Sequence, residues 1–361
     1  MTKRIGVLTG GGDCPGLNAV LRAVVKTAIF KYNYEVIGFK DGYRGLVMND
    51  FIRFNYNDVS GILDKGGTIL GTSNKDNPFN FKVERNNKVE YVDLSDRVID
   101  NLHMHGIEYM VFIGGDGTLT SARDLARKGV KAIGVPKTID NDLSGTDKTF
   151  GYMTAVDTAT EAIDKLHSTA ESHHRVMILE VMGRYAGWIA LESGIAGGAD
   201  VILIPEIPYD IEKVYQKLQE RKRRGKHFSI VVVAEGAKPK DGEMVINKIV
   251  EGSPEPIRLG GIGDKLADDL ERIYGLETRV TVLGHLQRGG RPNPYDRILS
   301  TRFGVKAVEL ICKGEHGVMV CLNGDKISTI PLEDAVNKLK TVPVDGELVN
   351  IARAIGLCFG D

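Results

Sequence analysis

Short β-branched runs that end in glycine and polar turns recur along this chain, and several are followed by stretches with a helical apolar period. No other feature constrains the fold as much. Strands that alternate with helices pack as a mostly parallel sheet with helices on its faces. The pattern predicts strands at 4–9, 35–39, 109–113, 131–135, 175–181, 228–234, 279–283 and 317–322. Helices are predicted at 17–32, 119–128, 153–169, 211–224, 262–274 and 298–312. In the third of these, Ala155, Val156, Ala159, Ala162, Ile163 and Leu166 trace one apolar face.

With 361 residues the chain is long enough for one large or two medium domains, and 47 Lys and Arg against 48 Asp and Glu leave it almost neutral. A nucleic-acid-binding field is therefore excluded. Glycine is abundant, 43 of 361 residues, against a usual share of about 7%. With no Gly-X-Y period, these glycines read as tight turns and backbone-lined sites. Cys14, Cys312, Cys321 and Cys358 lie far apart and form no C-x-x-C pair, which argues against a disulfide framework or structural zinc and suits a reduced cytoplasm. The N-terminal apolar run from Ile5 is too short for a signal-peptide core, and no stretch of about 20 apolar residues would span a membrane.

The polar clusters follow strands, and open α/β sheets bind ligands beyond the carboxyl ends of their strands. The first cluster, Gly10-Gly11-Gly12-Asp13-Cys14-Pro15-Gly16-Leu17-Asn18, opens into a helix whose free amides and dipole favour an anion. Pro15 breaks the dinucleotide fingerprint, and no Walker loop occurs in the chain, so a plain βα turn is an equal reading of this loop alone. The second cluster is Gly114-Gly115-Asp116-Gly117-Thr118. Its carboxylate would repel a phosphate unless a divalent cation lay between them, and Mg²⁺ is held by one or two carboxylates plus substrate phosphates. An Asx turn closed by Asp116 is the alternative.

The third cluster, Pro136-Lys137-Thr138-Ile139-Asp140-Asn141-Asp142, places two carboxylates at i and i+2 with an ammonium three residues upstream. Such a set serves as a general base with its orienting groups, or as a solvated loop with a helix cap. Further along come Arg175, Met182-Gly183-Arg184, Glu235, Arg279 and Gly284-His285-Leu286-Gln287-Arg288. Arginine forks suit phosphate, and one glutamate suits a sugar hydroxyl. Singly, each arginine reads as a surface or salt-bridge residue and His285 as a hydrogen-bonded structural one; it is four arginines beside glycine turns or strand ends that point to phosphate. The basic run Arg221 to Lys226 reads as a solvated helix end or a site for an anionic effector. Together the clusters suit phosphoryl transfer to a sugar phosphate.

These residues bring the chain close to a known family. GGGDCPGLN, GGDGT, PKTIDND, EVMGRYAG, VVVAEG and TRVTVLGHLQRGG occur in the order found in the bacterial 6-phosphofructokinases, which the chain resembles from about Lys3 to Gly304. GGDGT alone is also similar to strings in NAD kinases and diacylglycerol kinases. The resemblance implies an α/β fold of two doubly wound, mostly parallel lobes with the active site in the cleft between them. Residues 1–150 with about 285–312 would form the nucleotide lobe, and 151–284 with about 313–361 the sugar-phosphate lobe.

The resemblance further implies ATP + fructose 6-phosphate → ADP + fructose 1,6-bisphosphate, with Mg²⁺ on Asp116. Gly12, Asn74, Lys75 and Gly115 to Thr118 would hold the donor. Asp140 would take the proton of the sugar 1-hydroxyl, helped by Lys137, Thr138, Asp142 and Arg184. Ile139, Met182, Gly183, Arg184, Glu235, His285, Leu286, Gln287 and Arg288 would line the sugar-phosphate pocket. Arg175 and Arg279 would cross from a neighbouring subunit, which implies a homodimer or homotetramer.

Three departures bear on these expectations. Pyrophosphate-using members carry aspartate at the position of Gly117, so the glycine favours ATP, whereas Lys137 matches the pyrophosphate users. Asn74-Lys75 stands where well-known ATP enzymes have an arginine, and a lysine lacks the fork. Arg22 matches one arginine of the family's effector site, but Lys26 replaces another. A non-catalytic sugar-phosphate sensor is a remaining alternative, although a sensor has no need of Asp116 or Asp140.

Overall fold

The computed structural model describes residues 3–85, 88–249, 257–336 and 338–361. Its strands are β1 (Arg4–Thr9), β2 (Glu35–Phe39), β3 (Phe51–Phe54), β4 (Phe81–Arg85), β5 (Lys88–Val92), β6 (Ile107–Gly114), β7 (Lys131–Pro136), β8 (Val176–Val181), β9 (Val201–Leu203), β10 (Ser229–Ala234), β11 (Ile246–Ile249), β12 (Ile257–Leu259), β13 (Thr278–Val282), β14 (Val318–Asn323) and β15 (Lys326–Pro331). The helices are α1 (Leu17–Lys26), α2 (Tyr43–Met48), α3 (Ser95–Met104), α4 (Asp116–Arg127), α5 (Tyr152–His173), α6 (Trp188–Ala196), α7 (Ile211–Arg223), α8 (Ile262–Tyr274), α9 (Pro294–Lys313), α10 (Leu332–Ala335) and α11 (Glu347–Ala354). The helix predicted at 17–32 is α1 followed by a π-helical stretch, Thr27–Lys31.

Two sheets organise the chain. The larger has the order β15-β14-β7-β6-β1-β2-β3 and is parallel except at its ends, where β3 and β15 run antiparallel to their neighbours. The smaller has the order β13-β8-β10-β9 and is parallel throughout. Central strands covered on both faces require continuous apolar runs. In β6, Tyr109 to Ile113 are all buried, as are all six residues of β10. One apolar core, which includes Val7, Val111, Leu179 and Val232, reaches across both sheets.

The C-terminal region departs from the expected lobe assignment. Residues 313–361 were expected in the sugar-phosphate lobe, but β14 pairs with β7, and the β14–β15 hairpin extends the larger sheet. The reason is physical: Met319 to Leu322 are buried, and such a run needs a sheet edge, which β7 provides. From Lys340 onward the chain returns to the side of the smaller sheet, where the Val342 amide donates to Glu206 Oε1 and Cys358 bridges to Val201. Among the described residues, no helix is long and apolar enough to cross a membrane.

Candidate active site

β1, β6 and β7 are adjacent and parallel, so the loops that leave their carboxyl ends lie side by side. The amide of Gly10 donates to Ile113 O at 2.9 Å and that of Gly11 to Ser73 O at 3.0 Å, while Thr72 Oγ1 donates to Gly11 O at 2.6 Å. These bonds seat the 71–76 segment on the glycine loop and leave Asn74 and Lys75 exposed beside it. Helix α4 begins at Asp116, directly after Gly115, so its first-turn amides have no intrahelical acceptor and are oriented for an anion. A Cβ on Gly10 would stand 2.7 Å from Thr118 Oγ1, which explains the glycine there. A Cβ on Gly117 would meet no atom of the described residues within 4 Å. Lys137 is buried, and its Nζ donates to Gly12 O at 2.5 Å, which puts the ammonium inside the loop cluster.

After β7 the chain makes a turn set by side chains. The amide of Asp140 donates to Thr138 Oγ1 at 3.0 Å, and Thr149 Oγ1 donates to Thr138 O at 2.7 Å. Asn141 is left-handed, with φ 53°, and its Oδ1 accepts from the Thr149 amide at 3.1 Å and from Lys340 Nζ at 3.0 Å. Asp140 and Asp142 flank this residue. Asp140 Oδ1 is buried and has no hydrogen-bond partner among the described residues. Burial, reinforced by the charges of Asp142 and Glu235, pushes the Asp140 carboxyl up to about 7 against the pull of Arg288 and Arg184. Burial also raises Asp142, and the charge of Asp116 adds to it.

The smaller sheet supplies the other wall. Beyond β8, Gly183 adopts φ 143°, and a Cβ there would stand 2.6 Å from Ala186 O, so only glycine fits without strain. Arg184 follows at φ 53°, a conformation that non-glycine residues hold only when their surroundings fix it. Its amide donates to Glu235 Oε1 at 3.1 Å, just past β10, and burial raises the Glu235 carboxyl. After β13 the 3₁₀ turn Gly284–Arg288 brings the Arg288 guanidinium against the first glycine loop, with Nη1 2.6 Å from where a Cβ on Gly12 would lie. On that turn His285 and Leu286 are exposed, while Gln287 is fully buried. Ile139 packs in the core and Met182 against it.

Loops of both sheets therefore meet at Asp140. Arg175 and Arg279 do not join them. Both pair with Glu277, at 2.6 and 3.1 Å, near the amino ends of β8 and β13, about 20 Å of strand from the loops that carry Arg184 and Arg288. Among the described residues, no group of three or more His, Cys, Asp or Glu side chains could hold a metal by itself. Asp116 and Asp142 nonetheless fit Mg²⁺ carried by a polyphosphate, because their carboxylates disfavour one another and a shared cation would relieve that. Asn141 stands in the third cluster without a role of its own, and its role in the turn, with Thr149 and Lys340, emerges only in the fold; nothing in the sequence points to Lys340.

Comparison with known proteins follows the same direction. The profile of the family described as Phosphofructokinase matches residues 4–311. The chain is 64% identical over 361 residues to ATP-dependent 6-phosphofructokinase 2 of Clostridium perfringens, covering 99% of each chain. It is 52% identical over 340 residues to a pyrophosphate–fructose 6-phosphate 1-phosphotransferase of Streptomyces coelicolor, covering 94% of this chain and 96% of that one. Among solved structures, Pichia pastoris phosphofructokinase in the T-state superposes with a TM-score of 0.80 at 32% identity. That match covers 98% of this chain but 36% of the yeast chain.

Proposed function

The chain belongs to the phosphofructokinase family, and from that premise we propose that it transfers the terminal phosphoryl group of ATP to the 1-hydroxyl of fructose 6-phosphate, releasing ADP and fructose 1,6-bisphosphate. The observation that carries the reading is Asp140 Oδ1, a buried acceptor with no donor among the described residues, at the junction of the two loop sets. A carboxyl raised to about 7 is ionised enough near neutrality to take a proton and basic enough to hold it in the transition state.

In this reading the first-turn amides of α4 and the backbone of Gly12 hold the donor phosphates, and Lys137 sets a positive charge beside them. Asp116 and Asp142 are the residues that would hold Mg²⁺. Bound with the donor, the ion would neutralise charge on the phosphates. Arg184, Arg288, Glu235 and His285 receive the sugar phosphate, and Asp140 accepts the 1-hydroxyl proton as that oxygen attacks. The larger sheet is then the nucleotide lobe and the smaller one the sugar-phosphate lobe. Arg175 and Arg279 complete the sugar-phosphate pocket of a neighbouring subunit in a homodimer or homotetramer, in the cytoplasm.

ATP is the donor because the space beside Gly117 is open to a larger polyphosphate. A second reading, pyrophosphate as donor, draws on the ammonium of Lys137 against the phosphate loop and on the Streptomyces relative. The test is purified protein with Mg²⁺ and fructose 6-phosphate, assayed with ATP and with pyrophosphate side by side. Faster turnover with ATP is expected. Turnover with pyrophosphate alone would overturn the donor assignment, and no turnover with either would overturn the function.

A further inference from the structure

The C-terminal 50 residues have no part in the mechanism above, yet one short segment of them lies on the loop that carries Asp140. Lys340 Nζ donates to Asn141 Oδ1 at 3.0 Å, Thr146 O at 2.9 Å and Asp147 O at 2.8 Å, which uses all three protons of the ammonium. Its backbone amide donates to Asp142 O at 2.8 Å, Ser144 Oγ donates to Lys338 O, and Leu339 bridges to Leu143. The same segment reaches the other lobe. Trp188 Nε1 of α6 donates to Lys340 O at 2.9 Å, the ammonium stands 5.4 Å from the Trp188 ring centroid, and the Val342 amide donates to Glu206 Oε1 at 2.8 Å.

Lys340 thus fills the concave side of the loop, where one ammonium ties Asn141 Oδ1 to the carbonyls of Thr146 and Asp147. Asn141 is the residue whose left-handed turn sets the directions of Asp140 and Asp142, and its Oδ1 is held by this ammonium and by the Thr149 amide. We propose that Lys340 is a positioning residue for phosphoryl transfer: it fixes the Asn141 turn and so keeps Asp140 aimed at the acceptor hydroxyl, from a segment that ties the two lobes together. The inference rests on the assignment of Asp140 as the base. Misplacing a base by about 1 Å can slow a reaction by about 10² without changing the pocket that binds substrate, which separates positioning from general stabilisation.

The experiment uses the full-length enzyme with Lys340→Met, Lys340→Arg and Asp140→Asn. Lys340→Met keeps an unbranched stem and removes the donors. It is expected to lower kcat about 10- to 100-fold with KM for fructose 6-phosphate and ATP within about twofold. Lys340→Arg, which retains charge and donors, should recover most of that kcat. Fluorescence of Trp188, the only tryptophan in the chain, should report displacement of the segment in Lys340→Met. An unchanged kcat in Lys340→Met overturns the proposal, and so does a loss that Lys340→Arg does not restore at all. Should Lys340→Met not fold, Asn141→Gly decides: it allows the left-handed turn but deletes the Oδ1 acceptor, and it must lower kcat at unchanged KM. Asp140→Asn separates the two claims. If it leaves turnover intact, the base assignment fails; if it abolishes turnover while Lys340→Met does not slow it, only the Lys340 inference fails.

Discussion

Asp140→Asn should make the protein more stable as well as nearly inactive. The carboxyl, ordinarily at 3.8, stands at about 7 in the folded protein because burial opposes its charge. At about 1.4 kcal/mol for each tenfold change in proton affinity, ionised Asp140 destabilises the fold by up to about 4 kcal/mol relative to a neutral side chain of the same shape. The sign follows from proton binding. The unfolded chain releases this proton near pH 4 and the folded chain only near 7, so stability falls as pH rises between the two and the full penalty stands above pH 7. Asparagine avoids it. In urea unfolding followed by Trp188 fluorescence, the variant should be more stable than the parent at pH 8. At pH 5 the gain should shrink to under about 2 kcal/mol, where folded Asp140 is already protonated. Turnover should fall by about 10² to 10⁴. A variant no more stable than the parent at pH 8, or a gain equal at both pH values, would refute the reasoning that a desolvated charge sits at this position.

Three further outcomes are expected. Because the base must be ionised in the free enzyme, kcat/KM for fructose 6-phosphate should decline as pH falls through about 7, and a flat profile from pH 6 to 8 would contradict the Asp140 assignment. Gly117→Asp adds a side chain where a Cβ meets nothing within 4 Å, so it should fold normally and weaken ATP use more than pyrophosphate use; equal effects on both donors would sink the steric argument. Arg279→Ala breaks an exposed ion pair worth about 0–1 kcal/mol and should leave the melting temperature nearly unchanged while raising KM for fructose 6-phosphate severalfold; an unchanged KM would remove Arg279 from a neighbour's pocket.

The parts of this fold that the sequence disclosed are those whose local chemistry is self-sufficient. β1 and β2 begin and end at the predicted residues because apolar runs covered on both faces have sharp polar limits. The glycine loops were legible because backbone that approaches a phosphate closely has few alternatives to glycine; in the fold, a Cβ on Gly10 would meet Thr118 and one on Gly12 the Arg288 guanidinium. The carboxylates were legible as residue types at a strand end. What makes Asp140 unusual was not, since its burial, and the charges of Glu235, Arg184 and Arg288 that act on it from distant segments, arise only in the folded chain. The hairpins were missed for a similar reason. β4, β5 and β15 carry mixed polar composition, and their pairing depends on neighbours rather than on their own pattern. Lys340 lies almost 200 residues beyond Asn141 in a stretch with no motif, so only the folded chain brings them together.

The central claim is that one carboxylate stands between a held polyphosphate and a held sugar. A crystal structure with fructose 6-phosphate, Mg²⁺ and a non-hydrolysable ATP analogue measures it as a single distance, from Asp140 Oδ1 to the sugar O1. Hydrogen-bond reach, about 2.6–3.2 Å, is expected. A sugar bound with its 1-hydroxyl beyond about 6 Å from Asp140, or closer to another ionisable side chain, would contradict it.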